Sequence, residues 1–197
     1  MTKRILLLTI LMVILSLSGC SGKVVHMKEA DKNAVIQAPD KGQSLIVFVR
    51  TGVYGVAKQT SIFEIIDNRP HLVGILASGK KVAYTTTPGE HIFMAVGSGL
   101  DSTLMSATLS ADKTYYIDTD IVGGVWGVAD VIFIPMTDDE NIKSKLDECQ
   151  LVELNNESLK WADENSDDLN KNYIAANEAW LDTDEEDRAK LVAEDGK

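Results

Sequence analysis

Lys113-Thr114-Tyr115-Tyr116-Ile117-Asp118-Thr119-Asp120-Ile121 is the stretch on which the fold turns. Tyr115, Ile117 and Thr119 alternate with Tyr116, Asp118 and Asp120, the period of a strand with one face to pack and one to meet water. On either side the same rhythm recurs. Short β-branched and aromatic runs occupy Ser44 to Thr51, Thr60 to Asp67, His71 to Ala77, Lys80 to Thr86, Glu90 to Val96, Thr103 to Ser110 and Val128 to Met136. Gly, Pro, Asn and Asp separate them, and no helix of ordinary length fits between. Asp67-Asn68-Arg69-Pro70 starts a turn, Ser78-Gly79 permits positive φ, and Pro88-Gly89 suits the central pair of a type II turn. The spacing predicts a mainly β fold, an antiparallel two-layer β-sandwich over residues 43–136.

Beyond Pro135 the apolar period becomes helical. Thr137-Asp138-Asp139-Glu140 has capping-box spacing ahead of Ile142 and Leu146, which predicts a short helix. Gln150 to Leu154 suits one more strand. Leu159, Ala162, Leu169, Tyr173, Ala176 and Trp180 then share one side of a 3.6-residue helix, a stripe that must dock on the sandwich or meet a partner. Thr183 and Glu186 form a second capping-box spacing before Ala189 and Leu191, which predicts a last short helix. Residues 137–197 thus read as an α-helical C-terminal region. It is also acidic: from Thr137 onward there are 19 acidic and 7 basic residues, against 11 and 10 in residues 20–136. This charge excludes a nucleic-acid partner, which would require clustered Lys and Arg.

At the other end, Lys3-Arg4 precedes an apolar run, and Ser16-Leu17-Ser18-Gly19-Cys20 supplies small residues for cleavage, so residues 1–19 read as a signal peptide. The 13 residues from Ile5 to Leu17 fall short of the roughly 18 to 20 needed to span a bilayer core. Cleavage after Ser18 by an ordinary secretory route would leave Cys20 without a role. Leu17-Ser18-Gly19-Cys20 resembles a lipobox, with cleavage between Gly19 and Cys20 and lipid, including an acyl chain such as palmitate, on Cys20. Two or more chains hold a protein stably on a membrane. By resemblance to bacterial lipoproteins, Ser21 favours the outer membrane, with the domain facing the periplasm. Residues 20–42 are polar, with a turn at Pro39-Asp40-Lys41-Gly42, and read as a tether holding a short strand at Ala34 to Gln37. A thioether at Cys20 leaves Cys149 as the lone thiol, so no intramolecular disulfide forms; between Leu146 and Leu151 it reads as a buried small hydrophobe, with an intermolecular disulfide or a reactive thiol as alternatives.

Catalytic chemistry is sparse. His26, His71 and His91 lie on the tether or beside turns, with no nucleophile in a suggestive local setting, so no enzyme is expected; nor is a metal site or a cofactor. Gly74 to Lys81 approaches a phosphate-binding loop but lacks the Ser or Thr after its lysine and the helix that must follow. Asp182 to Asp187 and Asp163 to Asp168 lack the glycine and the closing glutamate of a calcium loop. Trp126, in Val122-Gly123-Gly124-Val125-Trp126-Gly127, is a candidate contact residue that alternatively covers the sandwich edge; Trp180 is the second candidate.

Leu45-Ile46-Val47-Phe48-Val49-Arg50, Val73-Gly74, Pro88-Gly89-Glu90-His91 and Ala111-Asp112-Lys113-Thr114-Tyr115-Tyr116-Ile117 together resemble a family of small bacterial lipoproteins defined by a domain of unknown function. The proline-glycine-x-histidine turn is also similar to that of PEGA repeats, small Ig-like β-sandwiches of envelope proteins. Asp112 stands where a glycine is common in the family. The resemblance implies a β-sandwich and brings no catalytic residues. The expectation is a membrane-anchored, non-enzymatic envelope module that binds or scaffolds another envelope protein. The alternative is a small-molecule or glycan-binding module using Trp126, Tyr84, Tyr115 or Tyr116 for stacking.

Overall fold

A computed structural model describes residues 24–52, 54, 58–97, 99, 101–123 and 129–197. Residues 1–19, Gly19 and Cys20 at the cleavage site, and Trp126 lie outside the described residues. The fold is mainly β with helices. Its strands are β1 (Lys28–Glu29), β2 (Ser44–Arg50), β3 (Thr60–Ile66), β4 (Arg69–Leu76), β5 (Lys80–Thr86), β6 (Gly89–Gly97), β7 (Ser102–Leu109), β8 (Thr114–Gly123), β9 (Ala129–Pro135), β10 (Gln150–Glu153) and β11 (Lys190–Leu191). The helices are α1 (Asp139–Glu148), α2 (Asn156–Glu164) and α3 (Ser166–Asp182).

All eight runs expected between Ser44 and Met136 are strands, because each alternates or is buried on both faces. They form two sheets, ordered β1-β10-β5-β2-β8-β9 and β11-β7-β6-β3-β4. The sheets are mixed, not antiparallel: β2 runs parallel to β8, β10 to β5 and β11 to β7. Period-2 alternation states which face is buried and is silent on the direction of the partner strand.

One core cluster draws on both sheets: Ile46, Phe48, Val82, Ile117 and Phe133 from the first, Ile62, Val73, Phe93, Ala95 and Met105 from the second. Leu45, Val47 and Val49 on the opposite face of β2 pack with Met136, Ile142 and Cys149, so α1 covers this strand and every residue of β2 is buried. On the other sheet Phe63, Met94 and Leu104 face away from the shared core and are covered by Leu169, Ala176, Tyr173 and Trp180.

Local chemistry sets the turns. Asp67 and Asn68 both have positive φ, 50° and 60°, and join β3 to β4 as the two-residue loop of a type I′ hairpin does. Asp112 has φ 62°, in the left-handed region that favours glycine, and its carboxylate accepts the Gly42 N–H at 2.7 Å. The cap of α1 is Asp138, accepting from the Asn141 N–H at 2.8 Å, one residue later than the spacing suggested. The expected single helix divides at Asn165, whose side chain donates to the Trp161 carbonyl at 2.8 Å.

The last expected helix is not an α-helix. Glu185–Asp187 is a single 3-10 turn, and Leu191 lies in β11, buried against the core. Arg188 donates to the carbonyls of Thr183 and Leu181, satisfying the end of α3 and turning the chain back toward β7. At the C-terminus Lys197 exchanges backbone hydrogen bonds with Thr114, at 2.9 and 3.1 Å, so the acidic region is laid along the β domain.

The segment read as a tether is likewise engaged from Val24 onward. Val24 and Met27 pack in the shared core, and the strand here is Lys28–Glu29, paired with β10, in place of Ala34–Gln37. Lys80, 2% exposed, donates to Glu29 Oε1 at 2.6 Å and holds β1 down.

Candidate functional site

At one end of the shared core, three strands bring together Glu64, Tyr84 and His91. Parity along each strand puts them inside: Ile62 and Glu64 on β3, Val82 and Tyr84 on β5, His91 and Phe93 on β6. Glu64 is 3% exposed. One of its carboxylate oxygens pairs with His91 Nδ1, and the other accepts the Tyr84 hydroxyl, so this one side chain links the two sheets. His91 Nε2 lies 2.9 Å from the Thr87 carbonyl. Both ring nitrogens face acceptors, an arrangement that only the doubly protonated imidazolium satisfies.

The titration of the group follows from these partners. Burial alone would raise the Glu64 carboxyl, but the hydrogen bonds from His91 and Tyr84 outweigh it and hold the group below its ordinary 4.5. The bond to Glu64 raises His91 above 6.5 against the opposing effect of burial. Tyr84 is raised by burial and by its carboxylate partner, and stays a donor. The result is an ion pair with a neutral phenol.

These side chains line a cleft of about 740 Å³. Its rim carries Asp67, Glu90, Thr86, Thr87, Ser106 and Thr108, with Ile66 as the exposed apolar element. Gly89 has φ 130°, a conformation glycine tolerates, and lets the chain turn from Thr87 into β6 with His91 directed inward.

A second polar group lies at the opposite end. Asp118, 1% exposed, accepts from Lys145 Nζ and from Thr51 Oγ1 at 2.9 Å, so this face of β8 is roofed by α1 where the alternation suggested solvent. Arg50, wholly buried, donates to the carbonyls of Lys58 at 2.8 Å and Tyr54 at 3.3 Å and thereby anchors the chain after β2. A Cβ on Gly52 would collide with the Asp120 carboxylate, so any larger residue there must displace that side chain. Cys149 is 5% exposed, and burial pushes its thiol up to about 11, the behaviour of a structural cysteine.

Among the described residues, the aromatics considered for stacking are dispersed. Tyr115 is fully buried, Tyr116 lies on the α1 side of the sheet, and Tyr84 is held by Glu64. Trp180 packs on the outer face of the second sheet, with the Arg188 guanidinium 5.6 Å from its ring, so the α3 stripe docks within the chain. His26 stacks on Trp161. Among the described residues, no group of His, Cys, Asp and Glu is arranged to hold a metal ion, and no helix is long and apolar enough to cross a membrane. Gly74–Lys81 forms the end of β4, a turn at Gly79 and the start of β5.

Local reading overlooked Glu64 and took His91 as a residue leaving a turn. The available signal was a carboxylate at an inward-facing strand position. No protein-family model matches the chain, and a search of curated proteins finds no match.

Proposed function

We propose that this chain is a lipid-anchored, non-enzymatic module of the bacterial cell envelope, held by lipid on Cys20 at the outer membrane and facing the periplasm, where it binds or scaffolds another envelope protein. The observation that carries binding over catalysis is the closed state of the Glu64–His91–Tyr84 group. A histidine that donates from both nitrogens has no lone pair with which to act as a base, and its carboxylate is already engaged on both oxygens. Leu17-Ser18-Gly19-Cys20 supports the anchor.

The finer fold belongs to the same proposal: a two-layer β-sandwich of the Ig-like or PEGA-like kind. Tyr115, near the start of β8, accepts the Ser110 N–H on its hydroxyl at 2.8 Å, the arrangement of the tyrosine corner in Greek-key sandwiches. The parallel pairs β2 with β8, β10 with β5 and β11 with β7 depart from the antiparallel form of that architecture.

Mild crosslinking in intact cells, with a photoreactive residue at Ile66 on the cleft rim, tests the function. A discrete adduct with one envelope protein, lost when Glu90 is replaced by Lys, supports it; recovery of the monomer alone would overturn it. A second reading, a module for a small ligand, rests on the cleft itself, whose acidic and hydroxyl rim suits a cationic, polyhydroxylated molecule. Displacement of the adduct by such a molecule would favour that reading.

A further inference from the structure

We propose that the protein rests on the bilayer through the end of the domain where β3 begins, with Val25, Tyr54 and Val122 against the lipid headgroups and the Glu64 cleft facing away. The inference builds on the lipid anchor at Cys20 and adds an orientation to it.

Three observations converge. First, the leash is short. Val24 already packs in the core, and the four residue steps from Cys20 to Val24 reach about 14 Å at most, at roughly 3.6 Å each. The headgroup layer is itself several Å deep, so the surface around Val24 cannot stand clear of it. Second, the position of that surface is set. The Val25 N–H donates to Gln59 Oε1 at 2.7 Å, immediately before β3 starts at Thr60. Along β3, Glu64 lies four steps from Thr60 and Ile66 on the cleft rim six, about 13 and 20 Å away at roughly 3.3 Å per residue. β5 repeats the relation, with Lys80 opposite Arg50 at the near end and Thr86 on the cleft rim at the far end.

Third, the near end exposes the right side chains. Val25, Tyr54 and Val122 are 43%, 51% and 37% exposed, and the Tyr54 ring lies beside Gly123, where a Cβ would stand 3.2 Å from it. A tyrosine flanked by valines suits the boundary between headgroups and acyl chains. Asp101 and Asp130 are exposed at the same end, so the contact suits zwitterionic headgroups and gains nothing from anionic ones, which these carboxylates repel. Arg50 holds this surface together through its bonds to the Lys58 and Tyr54 carbonyls.

The test uses the full lipidated chain in phosphatidylcholine vesicles containing a headgroup nitroxide lipid, with a fluorophore on Val122→Cys or, in a second sample, on Asp67→Cys. Both positions are exposed, and Cys149 is too buried to compete for the label. Quenching several-fold stronger at 122 than at 67 is expected; equal quenching, or the reverse order, would overturn the orientation. Hydrogen exchange on the unlabelled protein is the second readout: vesicles should protect the amides near Val25, Tyr54 and Val122 and leave those of residues 64–67 unchanged, and protection of 64–67 instead would overturn it. Flotation with the vesicles and the mass of the Cys20 peptide are read separately. A chain that carries no lipid and does not float refutes the anchor, whereas one that floats with equal quenching refutes the orientation alone.

Discussion

Glu64 and His91 form an ion pair inside the protein, 27 residues apart in sequence and on adjacent strands of one sheet. The pair sits where the second sheet meets Tyr84 of the first, so its carboxylate is a polar tie between the two sheets at one end of their shared core.

Removing the carboxylate strands two buried partners. Breaking a buried pair from one side costs about 3 to 5 kcal/mol, because the remaining charge is left without compensation. Glu64→Ala should therefore lower the unfolding free energy by about 3 kcal/mol, measured by urea denaturation. A loss below about 1 kcal/mol would mean that the tie contributes little.

The same pair gives a pH signature with a definite sign. His91 is raised in the folded state, so its contribution is fully present below its ordinary 6.5 and is lost as pH rises through the folded value. Glu64 is lowered, so its contribution is present above its ordinary 4.5 and is lost as pH falls through the folded value. The stability difference between the parent protein and His91→Gln should be greatest between pH 4.5 and 6.5 and should shrink on both sides. Thermal melts across this range measure it.

Tyr115 couples the β domain to the C-terminus. Its hydroxyl accepts from the Ser110 N–H and donates to the Ala193 carbonyl at 3.2 Å. Tyr115→Phe leaves the half-buried Ser110 N–H without its partner, at a cost of about 1 kcal/mol. Amide exchange at Ser110 and in the turn at Ala193–Asp195 should accelerate together. Acceleration at Ser110 alone would show that the tail is held by Lys197 and Thr114 without help from the phenol.

The β rhythm was legible because alternation and turn residues are local properties, as in Tyr115 to Ile121 and at Asp67-Asn68. Pairing direction was not, since Leu45 meets Thr114 and Gln150 meets Lys80 across long separations that no window contains. Leu191 joined a strand for a related reason: two residues of β11 find an open edge on β7, and that contact outweighs a weak helical spacing. The cleft group was half legible. Ile62-Phe63-Glu64 places the carboxylate on the inner face by parity alone, yet its partners, His91 and Tyr84, depend on which strands are neighbours. The docking of residues 24–30 was not legible because Val24, Val25 and Met27 form too short an apolar run to show a period, and Glu29 is held by a lysine 51 residues away.

The measurement that bears most directly on the account is fatty-acid labelling and membrane fractionation of the parent chain beside Cys20→Ser. The parent should incorporate labelled palmitate and sediment with membranes, and Cys20→Ser should do neither while retaining the fold by circular dichroism. Unchanged membrane association in Cys20→Ser, or an unlabelled parent, would contradict it.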